Sequence, residues 1–371
     1  MRPQKLLLAL MRPQNMFIAM ALMAAKTLIF VAAVVVTPKV MAQQTQQNIC
    51  YSLQRIWGDG SRHCAFTSLT KYKGAYYCTF REGFNHVFNE KGEADGVLRV
   101  IRSTDGNKWE NAALIEMKGY DLRDPKLSVT PEGKLMLLFA RSLYKNEQYI
   151  SSTTMVAFSA DGSKFTKAKE IKVPGTRATE GSWLWRVTWH KGTGYGLSYF
   201  QENEKNIIEL VSTTDGVNYK LMQHLDVADN PNECTVRFTA DDRMLIFMRR
   251  DGGSRSTMLL TAAAPYTDFK QIDLGFHCGG PDAIVLTDGK VLLAGRSEYV
   301  KGHAKTSIFC GTPDGGFHEV MTLPSAADTS YPSFLQVGDE VWMTYYSTHE
   351  TNKPSIFLAK IPLSYFGLAR W

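Results

Sequence analysis

The chain has 371 residues, a formal net charge of +6 and six cysteines. A single core stops growing near ~250–300 residues, so the length asks for one large closed architecture or two ordinary domains. With 44% hydrophobic and 21% charged residues, the composition excludes a disordered or collagen-like chain.

The charge sits at one end. Residues 1–42 hold Arg2, Lys5, Arg12, Lys26 and Lys39 and no Asp or Glu, which leaves +1 for residues 43–371. A nearly neutral remainder has no basic stripe, so nucleic acid is not an expected partner. The segment reads as a secretory signal, with a basic start, an apolar run over 27–37 and a cleavage site at Val40-Met41-Ala42. The expectation is a signal peptide over 1–42 and a mature protein over 43–371, periplasmic or extracellular. Met-Arg-Pro-Gln occurs at both 1–4 and 11–14, so Met1 and Met11 are both candidate starts. The alternative is an anchor over 16–37 with Lys26 snorkelling, but the apolar core after Lys26 is short for a span. Membrane contact is expected only through this segment, if it stays uncleaved.

Cys50, Cys64, Cys78, Cys234, Cys278 and Cys310 all lie beyond the signal. An even number permits disulfides, and the lack of a C-x-x-C pair or dense framework equally suits buried small hydrophobes. No metal-ligand cluster stands out among the eight histidines, and no metal or cofactor is expected.

From residue 60 onward the chain repeats. Hairpin-like units, each an apolar strand, a tight turn and a stronger apolar strand, occupy 65–81, 126–139, 185–200, 235–249, 282–296 and 333–346. Their turn residues Gly74, Gly133, Gly192, Asp242, Gly289 and Asp339 step by 59, 59, 50, 47 and 50. A second motif, Ser/Thr-x-Asp-Gly-x-x-aromatic, recurs at 103–109, 159–165 and 213–219, with a decayed copy at 312–317. In it the Asp carboxylate caps turn amides, Gly takes a positive φ and the aromatic packs beneath. Six hairpin-led units with no helical period between them predict an all-β, six-bladed propeller of four-stranded antiparallel blades. The sixth unit lacks a last strand, which residues 49–56 could supply, closing the ring. A monomer is expected.

In a propeller the entry of each first strand and the exit of each second strand share one rim. The exits carry Arg81, Arg141, Glu202, Arg249-Arg250, Arg296 and Tyr345-Tyr346. The entries carry His63, Arg123-Asp124, Trp183-Leu184-Trp185, Asn232-Glu233, Asp282 and Ser330-Tyr331. Arg81, Arg249 and Arg296 fall seven residues past their turns, in the register of an arginine ring around one anion. Asp124, Asp282 and Tyr346 are further candidates to touch a ligand there. One of Trp183 and Trp185 is expected in the core and the other as a sugar platform, with Trp185 taken as the platform.

The Asp-Gly boxes resemble the Asp-box repeats of sialidases, and the resemblance covers most of residues 60–360, closest to a branch of bacterial sialidase-like proteins. Glu233 with Arg249 sixteen residues later, Arg296 in the fifth unit and Tyr331 opening the sixth are similar to that family's catalytic pattern. The resemblance implies a retaining exo-sialidase: Tyr331 as nucleophile, Glu233 as its base, and arginines holding the substrate carboxylate. It implies an acid/base on the loop after the first hairpin, where Asp95 is the positional candidate and His86 a rival. The segment 61–66 departs from the family's first-strand motif, which leaves the first carboxylate-binding arginine open among Arg62, Arg81 and Arg123 and another acidic sugar open as substrate. The chemistry is consistent: a sialoside's anomeric carbon bears a carboxylate that repels an anionic nucleophile, and a neutral Tyr avoids that repulsion. Two other readings stand beside it. One is a propeller glycosidase using Asp124 with Asp282 or Glu233 as a carboxylate pair, and the other is a glycan-binding propeller without turnover. In each the partner is an acidic or related glycan.

Overall fold

The computed structural model describes residues 51–178, 181–298 and 303–367. The expected signal segment and Cys50 lie outside them. The described residues form six four-stranded antiparallel sheets. Five are built from consecutive strands, with inner strands His63–Tyr72, Asp121–Val129, Trp183–His190, Pro231–Phe238 and Gly279–Val285. The sixth combines Thr329–Val337, Glu340–Ser347 and Ser355–Pro362 with Ser52–Trp57, which pairs on the outer side of Ser355–Pro362. Each inner strand lies against the inner strand of the next blade, and the first against the sixth. The result is a six-bladed β-propeller, with a short 3-10 turn at Leu363–Phe366.

The second strands explain their own sequences. Within Met244–Arg250 and Val291–Arg296, residues 244–248 and 291–294 read as unbroken apolar runs because neighbouring blades cover both faces. Cys64, Cys78, Cys234, Cys278 and Cys310 are unbonded, buried thiols, and among the described residues cysteine acts as a small hydrophobe.

The Asp-Gly boxes are blade-to-blade fasteners whose Asp residues lie at the surface. In the second, Asp161 accepts from the Ser163 and Lys164 amides at 2.8 Å each, and Ser159 Oγ accepts from the Gly162 amide at 2.8 Å. Gly162 has φ +83°, and a Cβ there would come within 2.3 Å of Tyr77 Oη, on the second strand of the preceding blade. Gly106 meets Trp342 and Gly216 meets Met136 in the same way. Gly162→Ala is therefore expected to destabilise the fold by ~1–3 kcal/mol, from backbone strain and overlap. Thermal denaturation checks it, and a variant as stable as the parent contradicts this role.

Every inner strand carries a β-bulge at the same height. Two residues face one on the second strand at Phe66-Thr67, Asp124-Pro125, Trp185-Arg186, Asn232-Glu233, Gly280-Pro281 and Tyr331-Pro332. Bulges of this kind re-aim side chains. Phe66, Asp124, Gly280 and Tyr331 have positive φ (66°, 47°, 60° and 48°), which breaks strand alternation and turns a different face to the rim.

Below the bulges the channel is filled. Asp282, fully buried, accepts from Arg186, Arg237 and Thr235 side chains and from the Phe334 amide at 2.9 Å, so it ties blades three, four, five and six. Ser68 Oγ accepts from the Leu127 amide and Ser333 Oγ from the Leu69 amide.

Candidate active site

The bulges of blades four and six bring Glu233 and Tyr331 together. Tyr331 Oη donates to Glu233 Oε1 at 2.5 Å. Arg249 Nη1 donates to Glu233 Oε2 at 2.9 Å and lies 3.2 Å from Tyr331 Oη. The Gly280 amide, freed by its own bulge, donates to Glu233 Oε2 at 2.8 Å. Gly280 has to be glycine, because a Cβ there would lie 2.6 Å from the Tyr331 ring. Tyr331 is further clamped edge-on by Phe66 and Trp185, at centroid distances of 5.0 and 6.1 Å. Asp251 holds Arg249 Nε at 2.9 Å and Asn232 Nδ2 at 2.7 Å.

Electrostatics separate the groups. Burial opposes ionisation of Glu233, but the Arg249 charge and the Tyr331 hydroxyl outweigh it and hold the carboxyl below its ordinary value. Burial, reinforced by the Glu233 charge, pushes the Tyr331 phenol well above 10, so it is a neutral donor. Burial raises Asp124, and Lys126 and Arg123 offset this only in part. Asp124 Oδ1 is buried without a hydrogen-bond partner. Lys126 is driven down to about 7, chiefly by burial and then by the Arg186 charge. It stands 4.7 Å from the Trp185 ring centroid.

Arg296 approaches from blade five. Its guanidinium donates to Thr329 O at 2.8 and 3.1 Å and to Tyr346 Oη at 3.1 Å, and its Cζ is 5.5 Å from the Tyr331 ring centroid. Tyr346 Oη in turn donates to Asp328 Oδ1 at 2.9 Å. Asp328 Oδ2 is shared by His63 Nε2 at 2.7 Å and His86 Nδ1 at 3.1 Å. His86 also packs edge-on to Phe66, at 5.5 Å.

Several sequence expectations are corrected here. Arg81 is not at the ligand face. It is fully buried and donates to Asp121 Oδ1 at 2.9 and 2.7 Å and to Asn85 O at 2.9 Å. Gly83 and Gly96 lack side chains because this pair passes against them. Arg123 shares Asp121, at 2.8 Å, and stacks over Phe66 at 5.2 Å. Arg62 reaches Asp95, at 3.4 Å. The common offset from the turns also misleads. Arg250, not Arg249, is the ladder equivalent of Arg81 and Arg296, pairing with Pro231 as they pair with Ala65 and Gly279. Adjacent strand residues face opposite sides. Arg250 thus turns to Asp229, Asp273 and Ser256, and Arg249 to Glu233.

Asp95 accepts from the Phe84 amide at 2.9 Å and lines a separate cavity with Tyr120 and Tyr144. Asp282 belongs to the channel rather than the rim. Trp185, 1% exposed between Lys126 and Arg186, is the core tryptophan. Trp183 is the half-buried one: it stacks on Tyr199 at 6.2 Å and lines a cavity of about 530 Å³ with Glu233, Arg249 and Asp251. Asp328, Asp251 and Phe66 escaped sequence reasoning. Asp251, two residues past Arg249 at a strand exit, had a readable signal, whereas Asp328 sits in the connection before the sixth inner strand and had none.

No family model and no curated protein matches the chain. Solved structures share its fold. A protein of unknown function from Dyadobacter fermentans DSM 18053 is 18% identical, with a TM-score of 0.72, over 84% of this chain and 97% of that one. Trypanosoma rangeli sialidase is 11% identical, with a TM-score of 0.63, over 84% of this chain. The match spans 59% of the sialidase, a little over half its length. The Penicillium chrysogenum alpha-L-arabinanase complexed with arabinobiose is 14% identical, with a TM-score of 0.63, over 85% and 99%. The architecture is thus one shared with sugar-cleaving propellers.

Proposed function

We propose that the chain is an exported glycoside hydrolase that releases a terminal 2-keto-acid sugar, sialic acid foremost, with retention of configuration. The observation that carries this is the Tyr331–Glu233 hydrogen bond with Arg249 on both groups. A tyrosine nucleophile is chemically useful where the anomeric carbon carries a carboxylate, and Arg249 and Arg296 flank Tyr331 to receive one. The sialidase and arabinanase neighbours support a glycosidase, and the basic and apolar segment 1–42 supports export.

Tyr331 Oη attacks the anomeric carbon as its proton passes to Glu233. The opposed pKa shifts of the pair make transfer before attack costly, so the two events are concerted. The glycosidic bond breaks, and its oxygen takes the proton of Asp124. A water molecule, losing its proton to Asp124, then displaces Tyr331, which recovers its proton from Glu233. Asp124 is assigned as acid over Asp95 and His86 because burial, with the Glu233 charge adding to it, raises its carboxyl's pKa, and its Oδ1 has no hydrogen-bond partner.

The pH profile follows. Glu233 has to be ionised, and its depressed pKa places the acid limb of kcat/KM below ~4.5. Asp124 has to be protonated, so activity falls as pH rises through its raised pKa. The expected profile is a bell, and Asp124→Asn removes its alkaline limb while lowering the maximum. An unchanged alkaline limb assigns the acid elsewhere. The substrate claim is tested with aryl sialosides and sialoglycans across roughly pH 4–8, where no release at any pH contradicts it.

A second reading has its own observation. Asp251 and Asp328 already counter Arg249 and Arg296, which suits a neutral sugar with Glu233 as nucleophile and Asp124 as acid. Release of arabinosides but not sialosides favours it.

A further inference from the structure

We propose that His63, His86 and Asp328 form a binding site for a divalent cation of the zinc type, set on the rim across the seam between the first and sixth blades. The site adjoins the hydrolase groups through Tyr346 and Arg296, but it does not rest on that reading. His63 Nε2, His86 Nδ1 and Asp328 Oδ2 all lie within 4.8 Å of one another. A tetrahedral zinc bound by histidine nitrogen and carboxylate oxygen at ~2.0–2.2 Å asks for ligand separations of roughly 3.3 Å. The present 2.7 and 3.1 Å hydrogen bonds to Asp328 lie a few tenths of an ångström below that value, and no two of the three atoms are more than 4.8 Å apart. Both rings aim at one carboxylate oxygen, so a cation there would meet the same three atoms, each neutral ring carrying its proton on the other nitrogen, and because the cation competes with ring protonation its occupancy rises with pH.

The surroundings fit. Tyr346 Oη donates to the other carboxylate oxygen, Oδ1, at 2.9 Å and so fixes the direction of Oδ2. Arg296 lies 3.8 Å from that same Oδ1. His63, 4% exposed, is a rigid ligand, while His86, with half its side chain exposed, gives entry and leaves a coordination position open to water or a substrate oxygen. Two imidazoles and one carboxylate form a donor set for zinc rather than for calcium or magnesium, which take oxygen ligands.

His63 and His86 belong to the first blade, and Asp328 leads into the sixth, 265 residues from His63. The three meet only in the closed ring, so the cation binds the folded state alone and stabilises it. The test is calorimetric titration of the tag-free, chelator-treated full chain with zinc chloride, with bound metal counted by mass spectrometry and Tm recorded. The expected result is one equivalent of zinc and a Tm higher by several degrees, with calcium chloride without effect. His86→Ala, on an exposed loop side chain, and Asp328→Asn are each expected to weaken binding by about 100-fold and abolish the Tm rise. The proposal is overturned if zinc does not bind stoichiometrically, or if binding and the Tm rise persist in both variants.

Discussion

Tyr331→Phe is expected to lower kcat/KM on a sialoside by about 10³-fold or more while leaving the fold intact. The substitution removes one oxygen. The ring keeps its edge contacts with Phe66 and Trp185, and Glu233 keeps Arg249 and the Gly280 amide, so no buried charge loses its counter-ion. What disappears is the nucleophile. If Glu233 itself attacked the sugar, the same substitution would cost only the orienting hydrogen bond, about 10-fold, and Glu233→Ala would carry the large loss. Steady-state kinetics on both variants separates the two mechanisms.

The second large effect is on stability. Asp282→Ala leaves Arg186 and Arg237 in the filled channel without their shared carboxylate and the Phe334 amide without its acceptor. Removing one partner of a buried ion pair costs ~3–5 kcal/mol because the remaining charge is stranded. For a ring of this size the expected fall in Tm is roughly 4–8 °C. A parental Tm would show that the channel charges are solvated or rearrange freely.

These two residues also mark what was legible in the sequence. Turn residues every ~50 positions and the Asp-Gly boxes have local causes, a positive φ and capped amides, so they announce the blades wherever they occur. Glu233, Arg249, Arg296 and Tyr331 were legible as a pattern on that scaffold. Asp282 was not, because a charge at a strand entry looks the same whether it faces the rim or the channel. Arg81 was misplaced for a related reason. Counting from the turns put it in the register of Arg296 correctly and erred only at Arg249, but its partner Asp121, forty residues on in the next blade, holds it buried. The bulges hid the rest. They break the two-residue alternation at Trp185-Arg186, so the sequence could not tell that Trp183 faces the cavity and Trp185 the core. The His63–His86–Asp328 group joins residues from opposite ends of the chain, with no spacing a sequence motif could record.

The central claim is that Tyr331 becomes covalently attached to the sugar. It is tested by incubating the protein with a fluorinated sialosyl fluoride, whose fluorine beside the anomeric carbon slows departure of the sugar from the enzyme, and locating the adduct by peptide mass spectrometry. The account predicts one sugar per chain on the peptide containing Tyr331, and no adduct in Tyr331→Phe. An adduct on Glu233, or rapid turnover of the fluoride with no adduct at all, would contradict it.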